Sequence, residues 1–296
     1  MIGLQIQTTS VCTGKCLICP YSQSWHKQHP GVMTDKLFDK ILKEVSNIKF
    51  KKICPYLMNE PLADSKIFER LEKIKRLNNF DYIEFSTNAS LLSNEYTDKI
   101  ITVLGDVNND IWISFHGVKE HHYKKIMGLE FKQTLNNICN FLVKADGKLK
   151  IQIKGSGQPF VQNRNSPHWF SKEEYFYFWN GIFAKLKLKN RPKLFYFQYN
   201  DRAGNIGHNL SFNFRRKTLK GFKCPRVNQW FHILYTGELV LCCNDYFKEC
   251  VFGNIADQSL EEILNSTNRK KIIDMVEGRK KSPSDFICKR CNQHLC

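Results

Sequence analysis

Between residues 4 and 199, short apolar stretches alternate with amphipathic segments, and this alternation restricts the fold more than any other feature of the chain. The apolar stretches run Leu4 to Thr8, Lys52 to Leu57, Tyr82 to Thr87, Ile111 to His116, Lys150 to Lys154 and Leu194 to Tyr199. Between them, Thr34 to Asn47, Ser65 to Leu77, Ser93 to Leu104, Glu130 to Ala145 and Ser171 to Leu188 repeat apolar residues at helical spacing. Thr34 ahead of Asp35, and Ser171 with Glu174 three residues on, are helix-start signatures. A strand joined to the next by a crossover helix returns parallel to it, so the pattern predicts a parallel sheet. Six such units predict an α/β chain folded as an open, partial (β/α)6 barrel, TIM-like but not closed eightfold.

The first stretch runs into a loop that carries Cys12, Cys16 and Cys19, a C-x3-C-x2-C run in TSVCTGKCLICPY. Twelve cysteines in 296 residues would be odd as disulfides, since a chain this long buries enough core to need no staples. No apolar run approaches the roughly 20 residues of a membrane span, and the N-terminus lacks the basic and apolar regions of a signal peptide. A cytoplasmic chain with no membrane partner is expected, and clustered cysteines there point to metal. Cys54 and Cys139 stand alone in apolar patterns and read as plain core residues. The other cysteines fall into the loop and a second group from Cys224 to Cys296.

The formal net charge of +17 raises the question of nucleic acid, but Lys and Arg are spread along the chain. Lys36, Lys40 and Lys43 lie on one presumed helix, and no arginine-rich tail exists. A solvated basic surface is the simpler reading, with an anionic substrate as the alternative.

Beyond residue 200 the pattern changes. Residues 1–200 are expected to form the barrel, 201–222 a linker rich in Gly, Asn and Arg, and 223–296 a small α+β tail. Trp230 to Tyr235, a Thr236-Gly237 turn and Glu238 to Cys243 read as a β-hairpin. Two short helices follow, near Leu260 to Leu264 and Arg269 to Glu277. Such a tail is too small to fold by hydrophobic burial alone, so a metal or cluster is expected to hold it.

Three thiolates fall one short of the four that structural zinc or an ordinary iron–sulfur cluster takes. A [4Fe-4S] cluster on three cysteines leaves one iron open to an outside ligand, whereas a zinc site would be completed by His26 or a distant cysteine. C-x3-C-x2-C after the first strand of a six-unit βα chain resembles the radical S-adenosylmethionine (SAM) superfamily. That resemblance implies SAM chelated to the open iron, reductive cleavage to methionine and a 5′-deoxyadenosyl radical, and hydrogen abstraction from substrate. It also implies a reductant such as flavodoxin or ferredoxin.

Other segments match the same family. Asn59-Glu60-Pro61 stands where the family has a GGE-like motif contacting the methionyl amino group, with Met58-Asn59 in place of two glycines. Asn88, after Ser86-Thr87, and Ser114, before Phe115-His116-Gly117, resemble positions lining the ribose and carboxylate of SAM. Lys154 is placed to pair with that carboxylate, and Ile18 replaces the usual aromatic residue near the adenine.

In the tail, Cys224, Cys242, Cys288 and Cys291 are similar to the twitch domain, a shorter relative of the SPASM extension, and the resemblance implies one auxiliary [4Fe-4S] cluster on those four. Gly253-Asn254-Ile255 and Ser259-Leu260-Glu261-Glu262-Ile263 match the supporting text. Without the family, the same spacings suit a zinc ribbon. A full SPASM domain would need a further cysteine run, and the chain ends five residues after Cys291. Cys243 is expected to point away from Cys242 if both lie in a strand, while Cys250 and Cys296 remain candidates for a second cluster.

A fully ligated auxiliary cluster implies electron transfer and therefore an oxidoreductase, dehydrogenase-like in outcome. The tail pattern and brevity resemble family members that oxidise an aminocyclitol, which implies a sugar-like or other natural-product substrate. Two alternatives stay open: a ribosomal-peptide or protein-modifying maturase, and a non-catalytic zinc or iron–sulfur protein that binds RNA. Against a maturase, the barrel starts at residue 3 and leaves no leader-binding domain before it. Substrate contacts are expected at the barrel mouth from Ser156 to Phe170, with Gln158, Arg164, His168 and Trp169, and from Asp201-Arg202-Ala203-Gly204-Asn205. Arg202 is the first choice among them. His116, His121 and His122 are candidate bases, each weighed against a surface or turn role.

Overall fold

The structure is a computed structural model that describes residues 2–157, 170–198, 201–206 and 215–292. The strands are β1 (Ile2–Ile6), β2 (Phe50–Cys54), β3 (Phe80–Thr87), β4 (Asn109–Ser114), β5 (Ile151–Gly157), β6 (Lys193–Gln198), β7 (Trp230–Ile233), β8 (Glu238–Val240) and β9 (Val251–Asn254). The helices are α1 (Trp25–Gln28), α2 (Asp35–Val45), α3 (Ile67–Leu77), α4 (Asn94–Leu104), α5 (Glu120–Met127), α6 (Phe131–Lys144), α7 (Lys172–Leu186), α8 (Pro225–Gln229), α9 (Leu260–Asn265), α10 (Thr267–Val276) and α11 (Ile287–Arg290). The six expected strands are present, paired parallel in the order β6-β5-β4-β3-β2-β1. This is a mixed α/β fold with a partial (β/α)6 barrel, open because β6 is one end of the sheet.

Side-chain alternation splits each strand between two environments. Leu4, Ile53 and Ile83 lie abreast, as do Ile111 and Ile151, and all belong to the core built with the helices. Thr34 caps α2 through the Leu37 amide, and the helix buries Phe38, Ile41, Leu42 and Val45, one stripe at 3.6-residue spacing. Ser171 and Glu174 form the expected reciprocal cap on α7. Each large apolar side chain sequestered in this way contributes about 1.5–3 kcal/mol.

The other strand face is polar. Glu84 accepts from Lys52 at 2.5 Å and from the Tyr56 hydroxyl, with the Cys54 thiol 3.7 Å away. Asp110 accepts from the Trp112 indole at 3.0 Å and from Gln152, and Gln5 meets His232 at 2.8 Å. Cys54 is fully buried, as expected, yet on this polar side, whereas Cys139 is only half-buried on α6.

The tail does not stand apart from the barrel. β7 runs parallel to β1, with Leu4 beside Phe231 and Ile6 beside Ile233, and β8 and β9 follow antiparallel, giving a single nine-stranded sheet. The hairpin turns at Gly237, whose φ of +94° and 2.4 Å approach of a would-be Cβ to Asn254 Oδ1 leave room only for glycine. Leu260, Ile263, Ile272 and Val276 of α9 and α10 join the same core as the barrel. The apolar burial from β7 to α10 is therefore drawn from the core shared with the barrel rather than from a core of the tail's own. The cysteine-bearing segments on either side hold little regular structure.

Candidate functional site

The cysteine loop sits at the C-terminal end of β1 and is fastened by groups the sequence did not single out. The Lys15 and Leu17 amides donate to the carbonyls of Met127 and Ile126 at 2.9 and 2.8 Å, so the end of α5 carries the loop. Gly128 closes α5 at φ +64°, where a Cβ would come within 2.9 Å of Lys15. The Cys12 amide donates to the Tyr21 hydroxyl at 2.9 Å. A Cβ on Gly14 would lie 3.3 Å from Cys16 Sγ, so the backbone there leaves the thiol its room.

The three thiols lie close enough to oppose one another's ionisation. Burial pushes Cys12 up to about 12, with Glu60 adding to it, and burial followed by Cys19 and Cys12 raises Cys16 well above the thiol range. Such a cluster ionises only when a cation takes the charge, which is what a thiolate-bound cluster does. Among the described residues no three His, Cys, Asp or Glu converge as one metal ion would require. His26 turns its ring to Gln7 at 3.4 Å, edge-on to Trp25 and Tyr246.

Glu60 lies beneath the loop. Its Oε1 accepts from Thr87 Oγ1 at 2.6 Å and the Leu62 amide at 3.3 Å, and its Oε2 from the Asn88 amide at 2.7 Å. A carboxylate has about four acceptor positions, so one remains on Oε2 for an ammonium. Burial raises this carboxyl to about 7, the three hydrogen bonds opposing the rise. Asn59 accepts the Leu57 amide at 2.9 Å, and Pro61 begins the 3-10 turn that Glu60 caps. Asn88 reaches Thr13 at 3.0 Å and lies 4.0 Å from Cys12 Sγ.

Ile18, Ser114, His116, Lys154, Ser156, Phe197 and Arg202 line a cavity of about 90 Å3 at the same end of the barrel. Lys154 stands 3.4 Å from Ser86 and over the Trp112 ring at 5.3 Å. Burial brings its ammonium down to about 8, Glu84 opposing, Arg202 and Lys52 adding. Arg202 is set by a turn in which it, Ala203 and Gly204 all have positive φ, a conformation that costs non-glycine residues on the order of 1 kcal/mol or more. The larger groove, about 620 Å3, opens at the opposite end of β4–β6 and contains none of the expected site residues.

His116 does not fit the role of base. The Ser156 amide donates to His116 Nδ1 at 2.9 Å, so the neutral ring carries its proton on Nε2 and can only donate from there. Burial first, then Lys154 and Arg202, lower it to about 3 and keep it neutral. His121 and His122 lie together at the surface turn that begins α5. Gln158, Arg164, His168 and Trp169 fall outside the described residues, as does Cys296.

In the tail, Cys224, Cys242, Cys288 and Cys291 line one apolar cavity with Ala203, Phe222, Val227, Leu241 and Ile287. Burial raises the Cys288 thiol, and Cys224, Cys250 and Cys291 add to it, so the set fits a cluster by the same charge argument. The condition under which Cys243 is expected to point away from Cys242 is not met, because β8 ends at Val240 and neither cysteine lies in a strand; Arg226 donates to Cys243 Sγ at 3.2 Å. Cys250 is buried beside Cys288.

With this geometry in hand, family comparisons identify the class. The profile of the radical SAM superfamily matches residues 6–145, and that of SPASM, an iron–sulfur cluster-binding domain, matches residues 224–292. The chain carries a radical SAM domain followed by a C-terminal SPASM-type region. Its cofactors are SAM, a SAM-binding [4Fe-4S] cluster and auxiliary iron–sulfur.

Among individual proteins, the chain is similar to the S-adenosyl-L-methionine-dependent 2-deoxy-scyllo-inosamine dehydrogenase of Niallia circulans, 19% identical over 98% of this chain and 92% of that one. Its fold matches BtrN in complex with AdoMet and 2-DOIA (TM-score 0.60, 14% identity, 99% and 94% of the two chains). It also matches Streptococcus suis SuiB bound to precursor peptide SuiA (TM-score 0.67, 12% identity, 97% and 76%). No helix among the described residues is long and apolar enough to cross a membrane.

Proposed function

We propose that this chain is a dehydrogenase-like radical SAM enzyme that oxidises a hydroxyl-bearing carbon of a sugar-like or aminocyclitol substrate. In this reading Cys12, Cys16 and Cys19 hold the SAM-binding cluster, and Cys224, Cys242, Cys288 and Cys291 one auxiliary cluster. When bound, these groups supply hydrogen-atom abstraction and take up the electron that remains. The chain's own residues have the other tasks. Glu60 Oε2 offers its open acceptor position to the amino group of SAM, and Ile18 covers an apolar face. Arg202 holds an anionic or hydroxyl group at the cavity, and neutral His116 donates from Nε2.

Oxidising an alcohol carbon to a ketone also releases a proton, and Lys154 is the group suited to accept it. The observation that carries the reading is the cavity that joins Ile18, Arg202, Lys154 and Ser114 above the cysteine loop. A small cavity lined by Lys154 and Arg202 favours a small anionic or hydroxylated ligand. The similarity to a 2-deoxy-scyllo-inosamine dehydrogenase supports the substrate class. Peptide modification is the second reading, favoured by the fold shared with a precursor-peptide complex.

The test uses anaerobically reconstituted, reduced protein with SAM and either 2-deoxy-scyllo-inosamine deuterated at the carbinol carbon or a cysteine-containing peptide. Deuterium appearing in 5′-deoxyadenosine from the aminocyclitol supports the proposal. Transfer only from the peptide moves the chain to the maturases, and no 5′-deoxyadenosine at all sinks both.

Lys154 gives a separate prediction with a definite sign. Folding lowers its affinity for a proton, so the folded state carries a penalty below about pH 8 that fades as pH climbs toward the ordinary lysine value of 10.5. Lys154→Met is expected to raise stability at pH 7 by on the order of 3 kcal/mol in denaturant unfolding, while turnover collapses. As proton acceptor, Lys154 must be neutral, so the rate should rise through about pH 8 and level off above it. A profile flat through that range would assign Lys154 to the SAM carboxylate instead.

A further inference from the structure

One buried contact crosses from the tail to the cysteine loop of the barrel. The hydroxyl of Tyr246 lies 3.5 Å from Cys19 Sγ. Tyr246 packs with Tyr21 and Met58 in a small apolar cluster, separate from the main core, whose rim is formed by Cys12, Cys19 and Leu57. Tyr246 is 5% exposed, so water does not compete for the contact.

Tyr246 also stands four residues after Cys242, which lines the auxiliary cavity, and the turn between them is held rigidly. The Asp245 amide donates to the Cys242 carbonyl at 3.0 Å, and the Asp245 carboxylate accepts the Glu249 and Cys250 amides at 2.8 and 2.9 Å. Asn205 donates to the Asn244 carbonyl at 2.8 Å and accepts from Arg290 at 3.3 Å. Nothing in this arrangement needs a phenol for packing alone, since a phenylalanine would fill the same space.

We propose that Tyr246 is a positioning residue that donates a hydrogen bond to the Cys19 thiolate and thereby raises the reduction potential of the SAM-binding cluster, making that cluster's readiness for an electron depend on the tail. The inference rests on the assignment of Cys12, Cys16 and Cys19 as its ligands. A thiolate bound to iron has no proton to give, so the phenol is the donor. Such a bond stabilises the more negative, reduced cluster more than the oxidised one, and hydrogen bonds to sulfur are a principal lever on iron–sulfur potentials.

The experiment is an EPR-monitored redox titration of the reconstituted full chain and its Tyr246→Phe variant, with and without SAM. The signal that changes on adding SAM marks the cluster in question. At a fixed potential below the midpoint, the ratio of reduced to oxidised cluster is expected to fall about tenfold in the variant, which is about 59 mV for a one-electron couple. Iron content, thermal stability and the SAM-insensitive signal should stay as in the parent. A 3,5-difluorotyrosine at position 246, a stronger donor of nearly the same shape, should move the potential the other way.

An unchanged potential in both variants would overturn the proposal, as would a loss of iron or stability without a potential shift. A parent protein with no SAM-sensitive signal would instead remove the ligand assignment on which it stands.

Discussion

Cys16→Ala is expected to lower bound iron from about eight to about four atoms per reconstituted chain and to cut 5′-deoxyadenosine formation at least about a thousandfold. The loop has three thiols for a cluster that already leaves one iron open, so losing one leaves two anchors. Nothing nearby replaces it: Cys16 Sγ faces the Met127 carbonyl at 3.7 Å and the bare backbone of Gly14. The fold should survive, because the loop hangs on backbone bonds to α5 and on Tyr21 rather than on the thiol. Iron analysis, the circular dichroism spectrum and a SAM-cleavage assay check the three parts together. Full iron content and undiminished cleavage would sink the ligand assignment.

The second large effect is expected in the tail. In Cys288→Ala, or after chelation of the auxiliary iron, residues 215–229 and 282–292 should open while β7–β9, α9 and α10 stay protected. The cysteine-bearing segments have only the short helices α8 and α11 and converge on a small apolar cavity. By contrast, α9 and α10 bury Leu260, Ile263, Ile272 and Val276 in the common core, and the Leu260 amide donates to Glu44 of α2 at 2.8 Å. Losing a metal anchor costs several kcal/mol, so limited proteolysis in the two segments should quicken by roughly a hundredfold. Cleavage spread evenly over the tail would mean that its core does not stand without the cluster.

Much of this was legible in the sequence because the strand–helix rhythm, the caps at Thr34 and Ser171 and the cysteine spacings are all local. The helix α5 was not: it opens without a side-chain cap at Lys119, and the pair His121–His122 interrupts its apolar stripe. Only Gly128 after Met127 marks its end, and that end carries the cysteine loop. Glu60 was found by its motif, but not that three of its four acceptor positions are engaged by Leu62, Thr87 and Asn88, since those partners lie up to 28 residues away.

His116 was singled out for its residue type, whereas its chemistry is decided by the backbone amide of Ser156, 40 positions on. Tyr246 had one sequence signal, its spacing from Cys242, and its partner Cys19 lies 227 residues earlier. Side chains that meet across the barrel leave no periodic trace, which is why the lumen and the cavity around Arg202 emerge only in three dimensions.

The parallel pairing of β1 with β7 bears on how the protein is made. During synthesis β1 emerges first, and β2 can cover one of its edges early, but the other edge waits for residues 230–233. Until then the strand that leads into the cysteine loop has an unpaired row of amides and carbonyls, the kind of edge that invites aggregation. The strand is thus translated long before the partner that completes it. The order of events on the ribosome therefore places closure of the sheet, and with it a finished cradle for iron, after residues 230–233 have emerged.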